Sequence, residues 1–350
     1  MLQHRQRHYD EQLVSMRVVL EPQVAAKPED LGPEELSAHI HHDAKYYQYV
    51  LITNFLMVTV VKRKVKGAAY YYLEHTVRVG SKFTRKSKYL GKTVPDDIER
   101  LEKEFLLELK RERRFKDFDS IKKNYAVETK ATPLSSRDKL LREFSVRFTY
   151  DTQRIEGSTL SLRQTSQLLE EGITPSGKAV ADVKEAEAHH RVFLEMQKER
   201  RDLTLPLVLE WHWEMFKHTK PDVAGRVRRR GIRISGSRFV PPSPVELQPM
   251  LGDFFAWYRR TGSSLHPVEL AALVHLKFVT IHPFADGNGR ISRLIMNFVL
   301  RRAAYPMFNI EAKERAAYYN ALERSQLKAD DEVFARWLFR RYRKDFAPYA

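Results

Sequence analysis

The amino-acid sequence predicts a mainly α-helical protein with a small, basic, β-containing module ahead of the helices. From about Ser135 onward, apolar residues recur at spacings of three and four, which is the period of an amphipathic helix. Upstream, residues 70–92 are aromatic and β-branched around a central Gly80, a pattern typical of a β-hairpin. Residues 95–115 then begin with proline and acids and end with bases, a pattern typical of a capped helix.

The chain divides into three predicted parts. Residues 1–56 contain scattered prolines and no sustained period, so we expect a poorly defined segment there. Residues 57–134 form the small basic α+β module, and residues 135–350 form the helical domain. The apolar segment 50–61 is β-branched and far shorter than the ~20 residues that cross a bilayer, so we interpret it as a strand. The change in composition also raises the hypothesis that the native chain begins at Met57.

Composition limits the classes of function. The 350 residues are 43% hydrophobic, which suffices for one large and one small folded domain. The chain has no cysteine, which excludes disulfides, zinc–thiolate sites and cysteine nucleophiles and is typical of a reducing compartment. Because the sequence shows neither a secretory signal pattern nor a membrane-crossing stretch, we expect a cytoplasmic protein without a membrane partner.

The formal net charge of +16 is concentrated in two regions. Residues 57–130 contain 20 Lys and Arg against 11 Asp and Glu, and residues 225–238 contain six arginines and no acid. Such runs form either a solvated face or a surface for a nucleotide, an acidic protein or a nucleic acid. The charge pattern therefore does not decide whether a nucleic acid is a partner.

Residues 281–290, IHPFADGNGR, contain the backbone features of an anion site. A helical pattern ends at His282, because the residue before a proline is disfavoured in helical geometry. Gly287, Asn288 and Gly289 tolerate positive φ. Successive N–H groups in such a turn, together with the start of the next helix, can bind an anion.

The side chains around this turn supply the remaining chemistry. Arg290 and Arg293 lie three residues apart on a predicted helix, so they share a face and can bind neighbouring phosphates. Asp286 can hold Mg²⁺, which usually takes one or two carboxylates together with phosphate oxygens. His282 can accept a proton near neutral pH. Singly, each feature is more often structural, but in this order they predict transfer from a polyphosphate nucleotide to a hydroxyl group.

The segment HPFADGNGRISR resembles the signature of the Fic family, and every position of that signature is filled. The resemblance extends over residues 135–346 and implies an α-helical domain that transfers AMP from ATP to a Ser, Thr or Tyr hydroxyl of a protein. It implies that His282 deprotonates this hydroxyl and that Asp286 holds Mg²⁺, or Mn²⁺ in its place. The nucleotide-binding residues that the resemblance implies are Gly287, Asn288, Gly289, Arg290 and Arg293.

Residues 152–157, TQRIEG, resemble the inhibitory pattern of the same family, Ser/Thr-x-x-x-Glu-Gly/Asn. The resemblance implies that Glu156 pairs with Arg293 and takes the place of the γ-phosphate, so that ATP binds poorly or out of line. The alternative is an ordinary glutamate before a helix break.

Two further segments resemble elements of the family. Residues 231–242 alternate around a glycine and resemble the flap, a short β-hairpin that binds a target segment by strand pairing. Its predicted target-binding residues are Ile234, Ser235 and Gly236. Tyr319 lies where the family places an adenine-contacting tyrosine, and Gln326 lies two turns further on, where many members have asparagine. The alternatives are a plain surface hairpin and a core tyrosine.

The predicted function is a self-inhibited protein adenylyltransferase with ATP as its substrate and, as its partner, a protein with an exposed hydroxyl, its own chain included. Three alternatives stay open: a nucleic-acid-associated regulator that uses the site as a nucleotide sensor, an enzyme that removes AMP, and an enzyme that transfers another nucleotide. A homodimer also stays open.

Overall fold

The structure is a computed structural model that describes residues 58–65, 67–79 and 82–350. The predictions for residues 1–56 and for a start at Met57 fall outside this range, as does most of the strand interpreted at 50–61. Two compact units follow each other along the chain, with the division between Leu109 and Lys110. The domain boundary at residue 134 stays a prediction.

The first unit contains a three-stranded antiparallel sheet where the sequence predicted a two-stranded hairpin. The strands are β1 (Thr59–Val65), β2 (Ala68–Val79) and β3 (Lys82–Gly91), in that order. The hairpin β2–β3 has Tyr72 opposite Tyr89, and β1 extends it with Thr59 opposite Glu74. A two-stranded hairpin is marginally stable alone, and a third strand gives the sheet enough surface to pack on a helix.

The helix of the first unit is the beginning of α1 (Ile98–Ala131), which confirms the predicted helix. Phe105 and Leu109 on this helix cluster with Leu73 of β2, and all three are buried. The aromatic and β-branched residues of the strands therefore have an apolar partner on one face of the sheet.

Helices make up most of the second unit, as the periodicity predicted. They are α2 (Leu134–Ile155), α3 (Leu162–Glu171), α4 (Val180–Lys198), α5 (Leu205–Phe216), α6 (Pro244–Thr261), α7 (Pro267–Ile281), α8 (Asn288–Arg302), α9 (Arg315–Lys328) and α10 (Asp331–Asp345). Local signals set their ends. In α3, Ser161 and Gln164 form a capping box, and Gly172 ends the helix in the left-handed conformation. None of the helices in the described residues is apolar enough over a sufficient length to span a bilayer.

Helix α8 lies at the centre of this unit and is buried along nearly its whole length. Apolar residues such as Ile295 and Phe298 join the main hydrophobic cluster. Polar residues of the same helix, including Arg290 and Arg293, are also buried. Buried charges require partners. The first turns of α8 therefore position a polar site inside an otherwise apolar core.

The predicted flap is a loop and contains no strand, so the hairpin prediction was wrong. Residues 231–242 form an extended loop with a tight turn, where the Ser237 N–H donates to the Ile234 carbonyl at 3.1 Å. Gly236 at this turn has a φ of 75°. Pro241 and Pro242 follow the turn and have no N–H to donate to a strand ladder.

Candidate active site

The chain leaves α7 at His282 through a left-handed residue. His282 has a φ of 52°, and its N–H still donates to the Phe278 carbonyl at 3.1 Å. The following Pro283 prevents the helix from continuing. The ring Nδ1 lies 3.0 Å from the Val279 carbonyl, so Nδ1 carries the proton and donates it there. The other nitrogen, Nε2, therefore keeps a lone pair.

Burial lowers the pKa of His282 below its usual value. Arg228 acts in the same direction, whereas the bond to Val279 and the carboxylates of Glu156 and Asp286 oppose the shift. At neutral pH the ring is consequently neutral and can accept a proton at Nε2.

The loop after His282 is held by its own side chains. The Asn288 side chain accepts from the Phe284 N–H at 2.9 Å and donates to the Phe284 carbonyl at 2.8 Å. Phe284 is fully buried and stacks on the His212 ring, with ring centroids 3.8 Å apart. Gly287 has a φ of 81°, and a Cβ on it would overlap the ring of Phe216. The side chain of Asn288 thus fixes the loop, and a nucleotide contact by it stays a prediction.

His212 supports the loop from behind and was not identified from the sequence. Its Nδ1 accepts from the Gly225 N–H at 2.8 Å, so its Nε2 is the protonated nitrogen and donates to the Asp286 carbonyl at 3.0 Å. Burial lowers the pKa of His212 to about 4, although the bond to Asp286 opposes the shift.

The Asp286 carboxylate is surrounded by donors. Oδ1 accepts from the Gly287 N–H at 2.5 Å and from Arg290 Nη2 at 3.1 Å, and Oδ2 accepts from Lys220 Nζ at 2.7 Å. Burial alone would raise the pKa of Asp286, but Arg290 and Lys220 outweigh it and lower the pKa to about 2. The group is therefore an anion at neutral pH.

Arg290 lies beneath the loop. Its Nη1 donates to Glu185 and to Gln153, the latter at 3.2 Å, and its Nη2 donates to Asp286. Its guanidinium also lies over the ring of Phe216, 4.5 Å from the centroid. The structure gives Arg290 the role of holding Asp286, and its predicted phosphate contact stays a prediction.

Arg293 is paired with Glu156, as the inhibitory motif implied. Arg293 Nη2 lies 2.5 Å from Glu156 Oε1, and Arg293 is only 1% exposed. Its Nε donates to Thr152 Oγ1 at 2.6 Å, and its Nη1 donates to the Tyr318 hydroxyl at 3.2 Å. This hydroxyl also shares a hydrogen bond with His275 Nε2, 3.0 Å away. Neutral groups thus fix the guanidinium and leave Glu156 as its anionic partner.

Gly289 gives Glu156 room at the start of α8. A Cβ on Gly289 would overlap Glu156 Oε1 and would lie 3.1 Å from Arg293 Nη1. The first N–H groups of a helix have no partner within the helix and attract anions. The Glu156 carboxylate therefore lies at the helix start where an anion is best stabilised.

These groups line a cavity of about 320 Å³. Of the predicted site residues, it brings together Glu156, His282, Gly289, Arg293, Tyr319, Ile234, Ser235 and Gly236, and Gln326 also lines it. The remaining predicted residues, Asp286, Gly287, Asn288 and Arg290, do not line it. Tyr319 donates through its hydroxyl to the Ile155 carbonyl at 3.1 Å, next to Glu156. A larger cavity of about 660 Å³ shares only Gln326 with this set.

Arg228 closes the base of the flap loop, a role that the sequence did not reveal. Its Nη1 donates to the Arg230 carbonyl at 2.9 Å and its Nη2 donates to the Pro242 carbonyl at 2.6 Å, which joins the two arms of the loop. Its Nε donates to the His282 carbonyl at 2.8 Å. The signal in the sequence was the arginine-rich run 225–238, but nothing there distinguished this arginine from its neighbours.

Asp286 is the predicted ligand for a magnesium ion of the kind that nucleotides bring. In the residues that the structure describes, no group of three or more His, Asp or Glu could hold a metal ion. A single carboxylate is sufficient for Mg²⁺ when phosphate oxygens and waters complete its octahedron. Magnesium at Asp286 stays a prediction.

The Fic/DOC family profile matches residues 202–300, which include the candidate loop and the first turns of α8. The chain contains a Fic/DOC family domain. The protein adenylyltransferase Fic of Drosophila ananassae is 33% identical over 231 residues, which cover 65% of this chain and 46% of that protein. Its counterpart in Drosophila virilis is 36% identical over 193 residues, which cover 54% of this chain and 39% of that protein. The chain thus spans less than half the length of these curated relatives.

Solved structures resemble the Fic domain in the same way. A Fic-domain-containing signalling protein from Bacteroides thetaiotaomicron superposes with a TM-score of 0.59 at 29% identity, and the match covers 66% of this chain and 95% of that one. Fic-1 from Caenorhabditis elegans also gives a TM-score of 0.59, at 28% identity, and the match covers 70% of this chain and 72% of that one. These matches confirm the predicted Fic-type helical fold.

Proposed function

We propose that this chain is a self-inhibited protein adenylyltransferase that moves AMP from ATP to a Ser, Thr or Tyr hydroxyl of a protein, its own chain included. The observation that carries the proposal is the arrangement in one cavity of a neutral His282 and of Arg293, whose anionic partner is Glu156. The curated relatives named protein adenylyltransferase Fic support this reaction class.

In the proposed reaction, His282 Nε2 takes the proton from the target hydroxyl as its oxygen attacks the α-phosphorus. A bond forms between that oxygen and the α-phosphorus, and the bond from the α-phosphorus to the bridging oxygen of pyrophosphate breaks. Pyrophosphate leaves with the electron pair, and His282 passes its proton to solvent. The bond from Nδ1 to the Val279 carbonyl fixes the tautomer that makes Nε2 the base.

Binding of the phosphates would rely on the start of α8 and on Arg293. The first N–H groups of α8 and the guanidinium of Arg293 supply positive charge where the phosphates carry negative charge. Asp286 would hold Mg²⁺, which neutralises phosphate oxygens during transfer. Arg290 would act by holding Asp286, because its Nη groups already bind that carboxylate and Glu185.

Inhibition follows from competition for Arg293. Glu156 and a γ-phosphate would require the same guanidinium and the same space above Gly289. A bound γ-phosphate must therefore displace Glu156, or ATP binds with its α-phosphate out of line. Since Glu156 follows directly on α2, a movement of the end of that helix that withdraws Glu156 from Arg293 would release the site.

Intact-mass spectrometry after incubation with ATP and Mg²⁺ tests the proposal. We expect little change in the wild type, a gain of one or more AMP units in Glu156→Gly, and no gain in Glu156→Gly with His282→Ala. Parallel incubations with GTP, CTP and UTP test the donor, and incubation of the adenylylated protein without ATP tests removal of AMP. If Glu156→Gly gains no mass with any nucleotide, the proposed reaction is wrong.

The sheet of the first unit favours a second candidate, a nucleic-acid-binding surface. Tyr72 and Tyr89 lie on one face with ring centroids 5.3 Å apart, and Arg63 lies over Tyr72 at 4.8 Å. Tyr89 is 55% exposed. Exposed aromatic rings beside arginines can stack on the bases of a single strand while cations contact its phosphates. A nucleotide sensor of this kind would couple strand binding to the Fic site.

Fluorescence anisotropy of a labelled single-stranded oligonucleotide with the full chain tests this candidate. Binding should weaken steeply with salt, and Tyr89→Ala should weaken it roughly tenfold, as expected for the loss of one stacked base. Val60→Ala, at an exposed position on β1, serves as a control. Binding that is indifferent to salt or to Tyr89→Ala would rule out this surface.

A further inference from the structure

Behind the catalytic loop, two acids and two bases form a closed ring of ion pairs. Lys220 Nζ lies 2.6 Å from Glu185 Oε1 and 2.7 Å from Asp286 Oδ2. On the other side, Arg290 pairs with the second oxygen of each carboxylate. Each acid thus lies between two bases, and the charges balance. Lys220 follows α5, and its own N–H is fixed to the Phe216 carbonyl at 2.8 Å.

The two bases of the ring differ in how readily they can leave it. The side chain of Arg290 is 3% exposed and holds both acids through a planar guanidinium, whereas the side chain of Lys220 is 36% exposed. Lysine carries its charge on a flexible four-carbon chain, so it can reorient at little cost. Glu185 would remain its partner if Lys220 released Asp286.

The lone pairs of Asp286 are nearly all in use. A carboxylate offers about four lone-pair positions. The Gly287 N–H, Arg290 and Lys220 occupy three of them. A Mg²⁺ or Mn²⁺ ion on the oxygen that Lys220 binds would lie within a few ångströms of the ammonium group, where like charges repel strongly. The metal and Lys220 therefore compete for this carboxylate.

We propose that Lys220 is an internal cation that occupies the metal-binding carboxylate of Asp286 in the metal-free protein and must release it, keeping only its pair with Glu185, before a divalent ion binds. This inference rests on the proposed function for the assignment of the metal to Asp286. It makes Lys220 a positioning residue that sets the metal concentration at which the site assembles. Lys220 then sets the affinity of the site for the metal ion, independently of Glu156, which sets its affinity for ATP.

Titration of the full chain with MnCl₂ in the absence of nucleotide, with free Mn²⁺ followed by electron paramagnetic resonance, tests the inference. Lys220→Met should bind Mn²⁺ about tenfold or more tightly than the wild type, because the ion no longer displaces a charge-assisted hydrogen bond. Lys217→Met is the matched control, since Lys217 lies in the same turn and pairs with Glu214 at 2.6 Å. It should bind Mn²⁺ as the wild type does.

Two additional variants locate the effect. Lys220→Gln, which keeps a donor but no charge, should also tighten Mn²⁺ binding and replaces Lys220→Met if that protein does not fold. Adding Asp286→Asn to either variant should abolish the gain. Mn²⁺ should also raise the melting temperature of Lys220→Met more than that of the wild type, because the ion restores the missing positive charge beside Glu185 and Asp286.

Three results would overturn the inference: equal Mn²⁺ affinity in Lys220→Met, Lys217→Met and the wild type, weaker binding in Lys220→Met, or no Mn²⁺ binding in any of them. Weaker binding would mean that Lys220 holds Asp286 ready for the metal. The proposed reaction is judged separately, by AMP incorporation in Glu156→Gly. Tighter Mn²⁺ binding in Lys220→Met without any AMP transfer would support the competition and refute the reaction.

Discussion

Replacing Glu156 with glycine should strengthen ATP binding by about ten- to a hundredfold. Glu156 Oε1 lies 2.5 Å from Nη2 of Arg293, and a hydrogen bond to a charged group contributes about 1.5–3 kcal/mol. A γ-phosphate that takes over this bond no longer has to displace the carboxylate, and each 1.4 kcal/mol corresponds to a factor of ten in affinity. Thr152 and Tyr318 continue to hold the guanidinium, so the freed arginine stays in place.

Isothermal titration with ATP and Mg²⁺, performed in a His282→Ala background to prevent turnover, measures this effect. Adding Arg293→Ala should remove most of the gain, because the freed arginine is the group that receives the phosphate. Glu171→Gly, at an exposed position at the end of α3, controls for the extra backbone freedom of glycine. An unchanged affinity in Glu156→Gly, or an equal gain in the absence of Arg293, would refute the competition.

Three further predictions concern the loop and its support. His282→Ala should abolish AMP incorporation while leaving ATP affinity nearly unchanged. In Glu156→Gly, the rate of AMP transfer should fall at acid pH with a midpoint below pH 6.5, because burial lowers the pKa of this base. A midpoint above pH 6.5 would exclude His282 as the base. Asp286→Ala should lose activity that extra Mg²⁺ or Mn²⁺ restores poorly, and equal activity in EDTA would exclude a metal role. The fold keeps His212 neutral down to about pH 4, whereas the unfolded chain protonates it near 6.5, so this residue should lower the free energy of unfolding by up to about 3 kcal/mol as the pH falls through that window. Urea titrations should show a shallower pH dependence in His212→Gln than in the wild type or in the exposed His218→Gln, and identical slopes would contradict the assignment.

The loop could be predicted because its determinants are contiguous in the sequence. The end of α7 at His282 follows from Pro283, although the left-handed conformation of His282 does not, and the site at the start of α8 follows from the glycines beside it. The pair Glu156–Arg293 spans 137 positions and came only from a family resemblance. Local sequence patterns carry backbone conformation, whereas the choice of a charged partner depends on tertiary packing.

The second unit also contains features that no local pattern could reveal. Glu185 lies 35 positions before Lys220 and 105 before Arg290, so the ring behind the loop forms only when α4, α5 and α8 come together. The prediction that the flap is a β-hairpin was wrong for a related reason. Alternation around Gly236 indicated strand pairing, but the side chain of Arg228 bridges the two arms at the carbonyls of Arg230 and Pro242.

The two arginines of α8 illustrate how packing divides a role that spacing had given to both. At a separation of three residues they share a helix face, so the sequence predicted that both would bind phosphates. Arg290 instead meets Glu185, a carboxylate that is 7% exposed and lies with Arg290 in the ring of ion pairs behind the loop, so separating the two would break a buried charge network. Arg293 meets Glu156, whose side chain is 27% exposed and lies at the end of a helix. Glu156 can move into solvent if a phosphate replaces it as the anionic partner of the buried Arg293, so we expect Arg293, and not Arg290, to be the arginine that a nucleotide recruits.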